Sequence, residues 1–315
     1  MRGERRQGWM GMAGSRRHRA GGWYGCALRR GAAAIVLLAG VLAVGGGPVG
    51  AATRSSPTRP RVAVVPSGVA GSVGSLPQIW QTYNNCGPAS VAEVLAYWGI
   101  ARTQDQVQRV LRADNSPSGM APYGVPSYAR SLGLRALLGV AGTPRVLKAL
   151  VTNDFPVIVN QWYSVADHVR HYRPIQAYDD RQGVFVSSDP FGGPGHAITY
   201  ADFAAIWAVS NNRFIVLFPP AKAPLLDAVL ASAGWNKSQA YQRDLRRSEA
   251  RLRSGRVPPT TSGSWAFRYY AYLNLAWDEV ELGQYTAARQ ELRQATAHGA
   301  NPILVHWVAG QIPPH

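Results

Sequence analysis

Cysteine is scarce in this chain of 315 residues, which contains only Cys26 and Cys86. A scaffold held together by several disulfides is therefore excluded. A zinc site is also disfavoured, because so few thiols and dispersed histidines offer no pair of ligands at the spacing that zinc sites use. The pattern predicts neither a metal nor a cofactor.

Acidic residues are also few, 17 against 33 basic ones, so the formal net charge is +16. Nearly all the cations are arginines, since the only lysines are Lys148, Lys222 and Lys237. A basic excess is typical of proteins that bind nucleic acid or anionic surfaces. No nucleic-acid motif accompanies it here, so we expect no nucleic-acid partner.

Long apolar runs are lacking except for one near the N-terminus, between Gly31 and Gly47. This run has the length of the apolar core of a signal peptide and is short for a membrane span, and arginines precede it. Small residues follow at Ala51 and Ala52, where a signal peptidase would cut. Residues 1–52 are therefore predicted to be a signal peptide, with an uncleaved N-terminal anchor as the alternative.

Three further regions follow this leader. Residues 53–75 are rich in proline, serine and glycine, without an apolar period, and are predicted to be a disordered linker. Residues 76–220 combine predicted helices and strands, whereas residues 221–315 have a helical pattern. Cleavage of the leader would remove Cys26 and leave Cys86 alone. A solitary thiol is a liability in an oxidising compartment unless it has a function.

Cys86 stands at the start of an apolar helical run. Apolar residues recur at three- and four-residue steps from Ala89 to Trp98, and Pro88 suits a first helical turn, so a helix is predicted to begin near Cys86. Unpaired N–H groups and the helix dipole favour an anion at that end, and the thiolate is the reactive form of cysteine. Cys86 is therefore a candidate nucleophile. The plain alternative is a buried structural cysteine.

The region around and after Cys86 places helices first and strands later. Thr103 and Gln106 form a predicted capping box, and Thr143-Pro144 predicts a further helix over 145–153. Strands are predicted over 134–140, 156–161, 171–178, 183–188 and 214–218, and another short helix over 200–209. A group of helices followed by an antiparallel sheet describes an α+β fold.

A thiol nucleophile needs a base and a group that orients the base. His171 begins one predicted strand and Asp189 ends the next, so a hairpin would bring the two side chains together. Gln81, just before Cys86, is a candidate donor to an oxyanion, together with the backbone N–H of Cys86. The order Cys, His, Asp then follows the logic of a catalytic triad.

Two other histidines lie near these segments. His168 precedes the same strand and is the alternative base. His196 lies in a segment rich in glycine and proline and is predicted to be a solvated or substrate-facing loop residue. Trp80 and Trp162 are close in sequence to the site segments and are candidates to line a groove.

Three blocks of sequence resemble the C39-like peptidases: Gln81…Cys86-Gly87-Pro88-Ala89, His171-Tyr172-Arg173 and Asp189-Pro190-Phe191. These are cysteine peptidases of the papain fold, and their best-known members cut double-glycine leader peptides. The resemblance covers about residues 76–219. It implies Cys86 as nucleophile, His171 as base, Asp189 as orienting group and Gln81 as oxyanion donor.

The chain departs from the family pattern at the glutamine. Gln81 lies five residues before Cys86, whereas papain-like enzymes usually have the glutamine six before, and Gln78 lies eight before. The sequence also lacks patterns for the membrane spans and the nucleotide-binding domain of transporter-linked members. The resemblance therefore does not imply export-coupled leader cleavage.

The C-terminal region resembles one tetratricopeptide repeat. Small residues at Ala276, Ala288 and Ala295 would let two helices approach closely, and Gly283 would make the turn between them. A plain helical hairpin packed on the preceding domain is the alternative, since such repeats usually occur in series. The predicted helices of this region are 225–233, 237–253, 266–282 and 285–297.

Together these features predict a secreted or otherwise extracytoplasmic cysteine peptidase that hydrolyses peptide bonds through a thioester. The expected partners are a peptide or protein substrate and a protein bound at the C-terminal helices, and a membrane would be contacted only through an uncleaved N-terminal segment. The alternatives are a catalytically inactive member that only binds peptides, and an interaction protein that works through its helical region. Hydrolysis requires Cys86, whereas both alternatives survive its loss.

Overall fold

A computed structural model describes residues 69–112, 119–255 and 264–314. The predicted signal peptide, 1–52 with Cys26, and the first part of the predicted linker lie outside these residues. The described residues belong to one compact unit of the chain.

The first helices pack around the helix that begins at Cys86. The bounds are α1 Cys86–Tyr97, α2 Gln104–Leu111, α3 Val125–Ser131 and α4 Pro144–Thr152. In α1, every residue from Cys86 to Leu95 is buried. At the start of α2, Thr103 Oγ1 accepts the Gln106 N–H at 3.2 Å and Gln106 Oε1 accepts the Thr103 N–H at 2.9 Å. The predicted helix start at Cys86 and the predicted capping box are both confirmed.

The rest of this region is built on an antiparallel sheet. Its strands are β1 Ala70–Ser72, β2 Arg135–Gly139, β3 Val157–Trp162, β4 Arg170–Asp179, β5 Val184–Asp189, β6 Gly193–Thr199 and β7 Phe214–Phe218. The order is β2-β7-β3-β4-β5-β6, and β1 pairs with β4. A helix, α5 at Tyr200–Trp207, connects β6 to β7. All of β7 is buried, so the core lies along the middle of the sheet. The predicted α+β class is confirmed.

The predicted linker, 53–75, extends too far toward the C-terminus. Residues 70–72 form β1 and pair with the end of β4, and Val73 and Leu76 are buried in the core. Proline, serine and glycine interrupt its apolar residues, so the segment shows no period of its own. Its order comes from pairing with a distant strand, which a local pattern does not reveal.

The prediction that His196 lies in a loop is wrong. Residues 193–199 form β6 at the edge of the sheet. Gly193 and Gly195 adopt positive φ values of 92° and 71°, which glycine tolerates. An edge strand also accepts Pro194, because one of its sides makes no ladder hydrogen bonds. Glycine and proline therefore concealed an edge strand that pairing with β5 stabilises.

The C-terminal region is helical, as predicted. Its helices are α6 Ala223–Ser232, α7 Lys237–Ser254, α8 Ser264–Glu281, α9 Tyr285–Ala297 and α10 Pro302–Ala309. α8 and α9 form a hairpin that turns at Gly283, where φ is 74°. Ala276, Ala288 and Ala295 are all fully buried, so the two helices do approach through small residues. Kinship with tetratricopeptide repeats stays a prediction, and α10 is an additional helix.

Side chains of the C-terminal helices enter the core of the sheet region. Trp235 Nε1 donates to a backbone carbonyl just after β2 at 2.9 Å, and Tyr123 OH donates to Asn274 Oδ1 at 2.5 Å. Trp307 lies so close to Gly124 that an added Cβ atom would come within 2.9 Å of the indole. The helices and the sheet thus share one hydrophobic core. None of the described helices is long and apolar enough to span a bilayer.

Candidate active site

Cys86 is the first residue of α1, and the loop before it is tied to α2. Asn85 is buried, and its Nδ2 donates to Thr82 Oγ1 and to Gln108 Oε1, each at 2.6 Å. Arg112 Nη1 donates to Asn85 Oδ1, also at 2.6 Å. These three hydrogen bonds engage both ends of the Asn85 amide and fix the position of the thiol that follows.

His171 on β4 and Asp189 at the end of β5 contact each other, as the predicted hairpin requires. His171 Nε2 lies 3.0 Å from Asp189 Oδ1. The same Oδ1 accepts the backbone N–H groups of Phe191 and Gly192, each at 2.8 Å. Arg173 Nε lies 3.0 Å from Oδ2. Since Nε2 faces the carboxylate, Nδ1 is the ring nitrogen that remains for Cys86.

The groups in this site change one another's pKa. Burial alone raises the pKa of Cys86, but the hydrogen bond and charge of His171, with two backbone N–H groups, lower it below its usual value. Burial lowers the pKa of His171, whereas Asp189 and Cys86 raise it, and the net change is upward. Burial raises the pKa of Asp189, but His171 and Arg173 hold it well below its usual range. The site therefore favours a thiolate, an imidazolium and a carboxylate.

Gln81 lies beside the thiol in the same cleft. Its backbone N–H donates to Pro190 O at 2.8 Å, while its buried side-chain Oε1 has no hydrogen-bond partner among the described residues. Gln78, the other glutamine, has a partner at each end of its amide: Nε2 donates to Asp189 O at 2.9 Å and Oε1 accepts the Ser188 hydroxyl at 3.0 Å. The unpaired Gln81 oxygen can accept a hydrogen bond from a ligand, whereas both ends of the Gln78 amide already have protein partners.

The other two candidate histidines have different surroundings. The exposed His168 stacks on Trp162 with ring centroids 3.7 Å apart, and its Nε2 lies 3.1 Å from Val165 O. On β6, burial and the charge of Arg173 lower the pKa of His196. His171 is therefore the histidine that contacts the Asp189 carboxylate and lowers the pKa of the Cys86 thiol. In the described part of the chain, no group of three or more His, Cys, Asp or Glu side chains is arranged to hold a metal ion.

The sequence prediction omits Arg173, which is fully buried beneath the site. Besides its ion pair with Asp189, its Nη2 donates to Tyr163 O at 2.7 Å, and its guanidinium lies 5.3 Å from the centre of the Tyr163 ring. The two-residue spacing between His171 and Arg173 could have predicted this position. Alternate residues of a strand lie on one face, so Arg173 had to share the face of His171.

The prediction also omits Glu93, which is fully buried on α1, seven residues after Cys86. Glu93 Oε1 accepts the Ile79 N–H at 2.8 Å, which anchors the segment leading to Gln81. Burial raises the pKa of Glu93 to about 8, so the carboxyl is mostly protonated at neutral pH. A single acid within the apolar run of α1 was the signal that could have identified it.

A cleft of about 640 Å³ opens at these residues. Cys86, Gln81 and His171 line one part, and Arg251 on α7 and Asn274 on α8 line another. Large exposed apolar side chains of the described residues concentrate in the segments around the site: Trp80, Tyr83, Val165, Val169 and Phe191. Apolar side chains that gather around a cleft mark a binding surface.

Part of this chain is similar to known proteins. Residues 73–214 match the model of the Peptidase_C39 like family. Among solved structures, the peptidase domain of Streptococcus ComA, described as a bi-functional ABC transporter involved in a quorum-sensing pathway, is 19% identical, with a TM-score of 0.37 over 45% of this chain and 96% of that one. No curated protein matches the chain. Over residues 73–214, less than half of its length, the chain is thus similar to the C39-like peptidase family.

Proposed function

We propose that this protein is a cysteine-type peptidase that hydrolyses peptide bonds with Cys86, His171 and Asp189. The observation that carries the proposal is the 3.0 Å contact between His171 and Asp189 at the wall of an open cleft that Cys86 also lines, together with the lowering of the Cys86 pKa by His171. A nucleophile, a base and an orienting group in contact are the parts that acyl transfer requires.

In the first half-reaction, the Cys86 thiolate attacks the carbonyl carbon of the scissile peptide bond, and the electron pair of the C=O bond moves to oxygen. The backbone N–H of Cys86 and the side-chain amide of Gln81 are the proposed donors to this oxyanion. As the oxyanion collapses, the C–N bond breaks, and the imidazolium of His171 gives its proton to the leaving amine. A thioester on Cys86 remains.

In the second half-reaction, His171 takes a proton from water, and the resulting hydroxide attacks the thioester carbon. The C–S bond breaks, the acid product leaves, and Cys86 returns to its thiolate form. Asp189 does not take the proton. It holds the ring of His171 through Nε2, so that Nδ1 stays directed at the sulfur in both half-reactions.

The competing interpretation is that Cys86 is an inert structural cysteine. Burial in apolar surroundings raises the pKa of such a thiol and suppresses its reactivity. The net effect on Cys86 is the opposite, because His171 lowers its pKa, and the residue also lines the cleft. A depressed thiol pKa at a cleft supports a reactive nucleophile.

Labelling with a thiol-directed epoxide inhibitor tests the proposal. We expect stoichiometric modification at Cys86 in the folded protein, located by peptide mass mapping, together with hydrolysis of a mixed peptide library. Cys86→Ala should lose both activities while keeping its fold. A protein that binds peptides but neither labels nor cleaves them would be the inactive, peptide-binding alternative.

We further propose that the protein acts outside the cytoplasm on a peptide or protein substrate. The support is the sequence pattern of residues 1–52, with basic residues, a short apolar run and small residues at Ala51 and Ala52. N-terminal sequencing of the exported protein tests it. A start near Ala52 or Thr53 is expected, whereas retention of the full leader in the membrane fraction would favour an anchor.

A further inference from the structure

The far wall of the cleft is built by the C-terminal helices. Ser248 and Arg251 on α7 and Tyr270 and Asn274 on α8 all line it. These helices follow the segment that matches the C39-like family, which ends at residue 214. The space beside Cys86 is therefore shaped partly by a region outside the family match.

Positive charge predominates among the lining residues. Arg170, Arg213 and Arg251 line the cleft, whereas Asp167 is the sole carboxylate among the lining residues that the structure describes. Asp167 lies in the exposed segment between β3 and β4, and its Oδ1 accepts the Val169 N–H at 3.2 Å. One peripheral carboxylate does not balance three guanidinium groups.

The charge of Arg213 is already balanced. Its Nη2 lies 2.9 Å from Asp244 Oδ2, and its Nη1 donates to Asn274 Oδ1. The other oxygen of Asp244 accepts Asn211 Nδ2. Asp278 lies in the same cluster, and burial and the charge of Asp244 raise its pKa well above the usual value.

Neither Arg170 nor Arg251 makes a direct ion pair with a residue that the structure describes. Arg170 Nη1 donates to the neutral amide of Asn160 at 2.8 Å. The guanidinium of Arg251 makes no hydrogen bond or ion pair with any residue that the structure describes. The acidic residue on the same face of α7, Asp244 at two turns' distance, is already paired with Arg213.

Other charges act on Arg251. Burial and the neighbouring Arg247 lower the pKa of Arg251, Asp244 raises it, and Arg170 lowers it more weakly. Arg170 itself is exposed to solvent. A bound anion would relieve the repulsion between these positive charges.

We propose that the part of the cleft between β4 and α7 is a specificity subsite for a carboxylate of the peptide substrate, held by Arg170 and Arg251. The inference rests on the proposed peptidase function only in assigning the carboxylate to a peptide. Guanidinium groups suit this ligand because their planar N–H pairs match the two carboxylate oxygens. The carboxylate belongs either to an aspartate or glutamate side chain or to the C-terminus of the peptide.

Binding to a full-length Cys86→Ala protein tests the subsite separately from hydrolysis. The probes are fluorescent decapeptides in matched pairs, Asp against Asn and Glu against Gln at each position, and free acid against amide at the C-terminus. We expect the acid to bind about tenfold more tightly than its neutral isostere at one position, as charge-assisted hydrogen bonds imply. A preference at an internal position shows that the bound carboxylate belongs to a side chain. A preference for free acid over amide shows that it is the C-terminus of the peptide.

Variants of the two lining arginines test whether the preference for acidic peptides arises in the cleft. Arg251→Gln and Arg170→Gln should each reduce it several-fold, and Arg251→Lys should restore part of it. Arg246→Gln, an exposed arginine on another face of α7, should leave it unchanged. Added salt should weaken the preference in the parent protein.

The outcomes separate the two proposals. The absence of any acid preference, including failure of every probe to bind, overturns the subsite, and so does a preference that persists in both the Arg170 and Arg251 variants. If wild-type protein cleaves peptides without regard to charge, the peptidase function stands and the subsite is wrong. If the Cys86→Ala protein binds acidic peptides through Arg251 but wild type cleaves none, the subsite stands and hydrolysis is wrong.

Discussion

Asp189 and Asp278 are both fully buried aspartates, one in the candidate active site and the other in the helical region. Asp189 Oδ1 accepts two backbone N–H groups and faces His171, and its pKa lies well below the usual range. Asp278 lies against another carboxylate, Asp244, and burial and that charge raise its pKa well above the usual value. Both carboxyls are buried, so burial alone does not explain the difference. Hydrogen-bond donors that converge on a buried carboxyl lower its pKa and favour the ionised form.

The difference separates two uses of a buried acid. At Asp189 the negative charge is retained, and it orients and charges the ring of His171. In the helical region Asp244 pairs with Arg213, while burial and the charge of Asp244 raise the pKa of Asp278. The first arrangement lies at the cleft, and the second closes a polar cluster inside the core.

The largest expected contrast is in turnover. Asp189→Asn should lower kcat for peptide hydrolysis by at least about a hundredfold, because His171 loses the charged acceptor that holds its tautomer. The matched change Asp278→Asn keeps a neutral side chain of the same shape and should leave kcat nearly unchanged. Steady-state kinetics on both purified variants make the measurement. Equal losses in the two variants would contradict the assigned roles.

The next contrast is in the pH dependence of Cys86 alkylation. The pKa of Cys86 is lowered by His171, so wild-type protein should react with iodoacetamide well below pH 7. In His171→Ala the thiol should return toward its ordinary pKa of about 8.5, and the rate at pH 5 should fall by more than about a hundredfold. Asp278→Asn is the control and should follow the wild-type profile. If wild-type Cys86 reacts only above about pH 8, the ion pair is wrong.

The smallest contrast is in stability. The folded-state pKa of Glu93 is about 8, above its value of about 4.3 in an unfolded chain. Its contribution to stability is thus fully present below about pH 4 and is lost as pH rises through 8. Asp189 behaves in the opposite way: its contribution is present above about pH 3.9 and is lost as pH falls through its depressed value.

Glu93→Gln should therefore flatten the pH profile on the alkaline side. Between pH 6 and pH 9 we expect the fall in Tm to shrink by roughly 5 °C relative to wild type. Calorimetry across this range measures it, with Asp227→Asn on the surface of α6 as the control that should change nothing. A profile for Glu93→Gln as steep as that of wild type would show that another group causes the loss.

The contact between His171 and Asp189 followed from local pattern alone. Two strands joined by a short polar turn place the start of one beside the end of the next, and His171 and Asp189 stand at those positions. The helix start at Cys86 and the capping box at Thr103 are equally local, because each depends only on residues close together in sequence. Such contacts can be read from sequence because turn geometry or helix geometry fixes them.

Other features depend on pairing between distant segments. β1 and β6 are ordered by their neighbours in the sheet, and their own residues carry little strand signal. The far wall of the cleft depends on how α7 and α8 pack against the sheet, through contacts such as Tyr123 with Asn274. No pattern within one segment encodes such a contact, so Arg251 could not be assigned to the cleft from sequence.

The complete burial of α1 from Cys86 to Leu95 has a consequence for how this protein could diversify. A thiol mounted on the core keeps one position, because moving it would disturb the packing of the whole domain. Arg251 on α7 also lines the cleft but is only partly buried, so packing constrains it less. Under the proposed function, substitutions of Arg251 would change which peptides are accepted while the geometry of attack stays the same, so selectivity and chemistry could evolve separately in this chain.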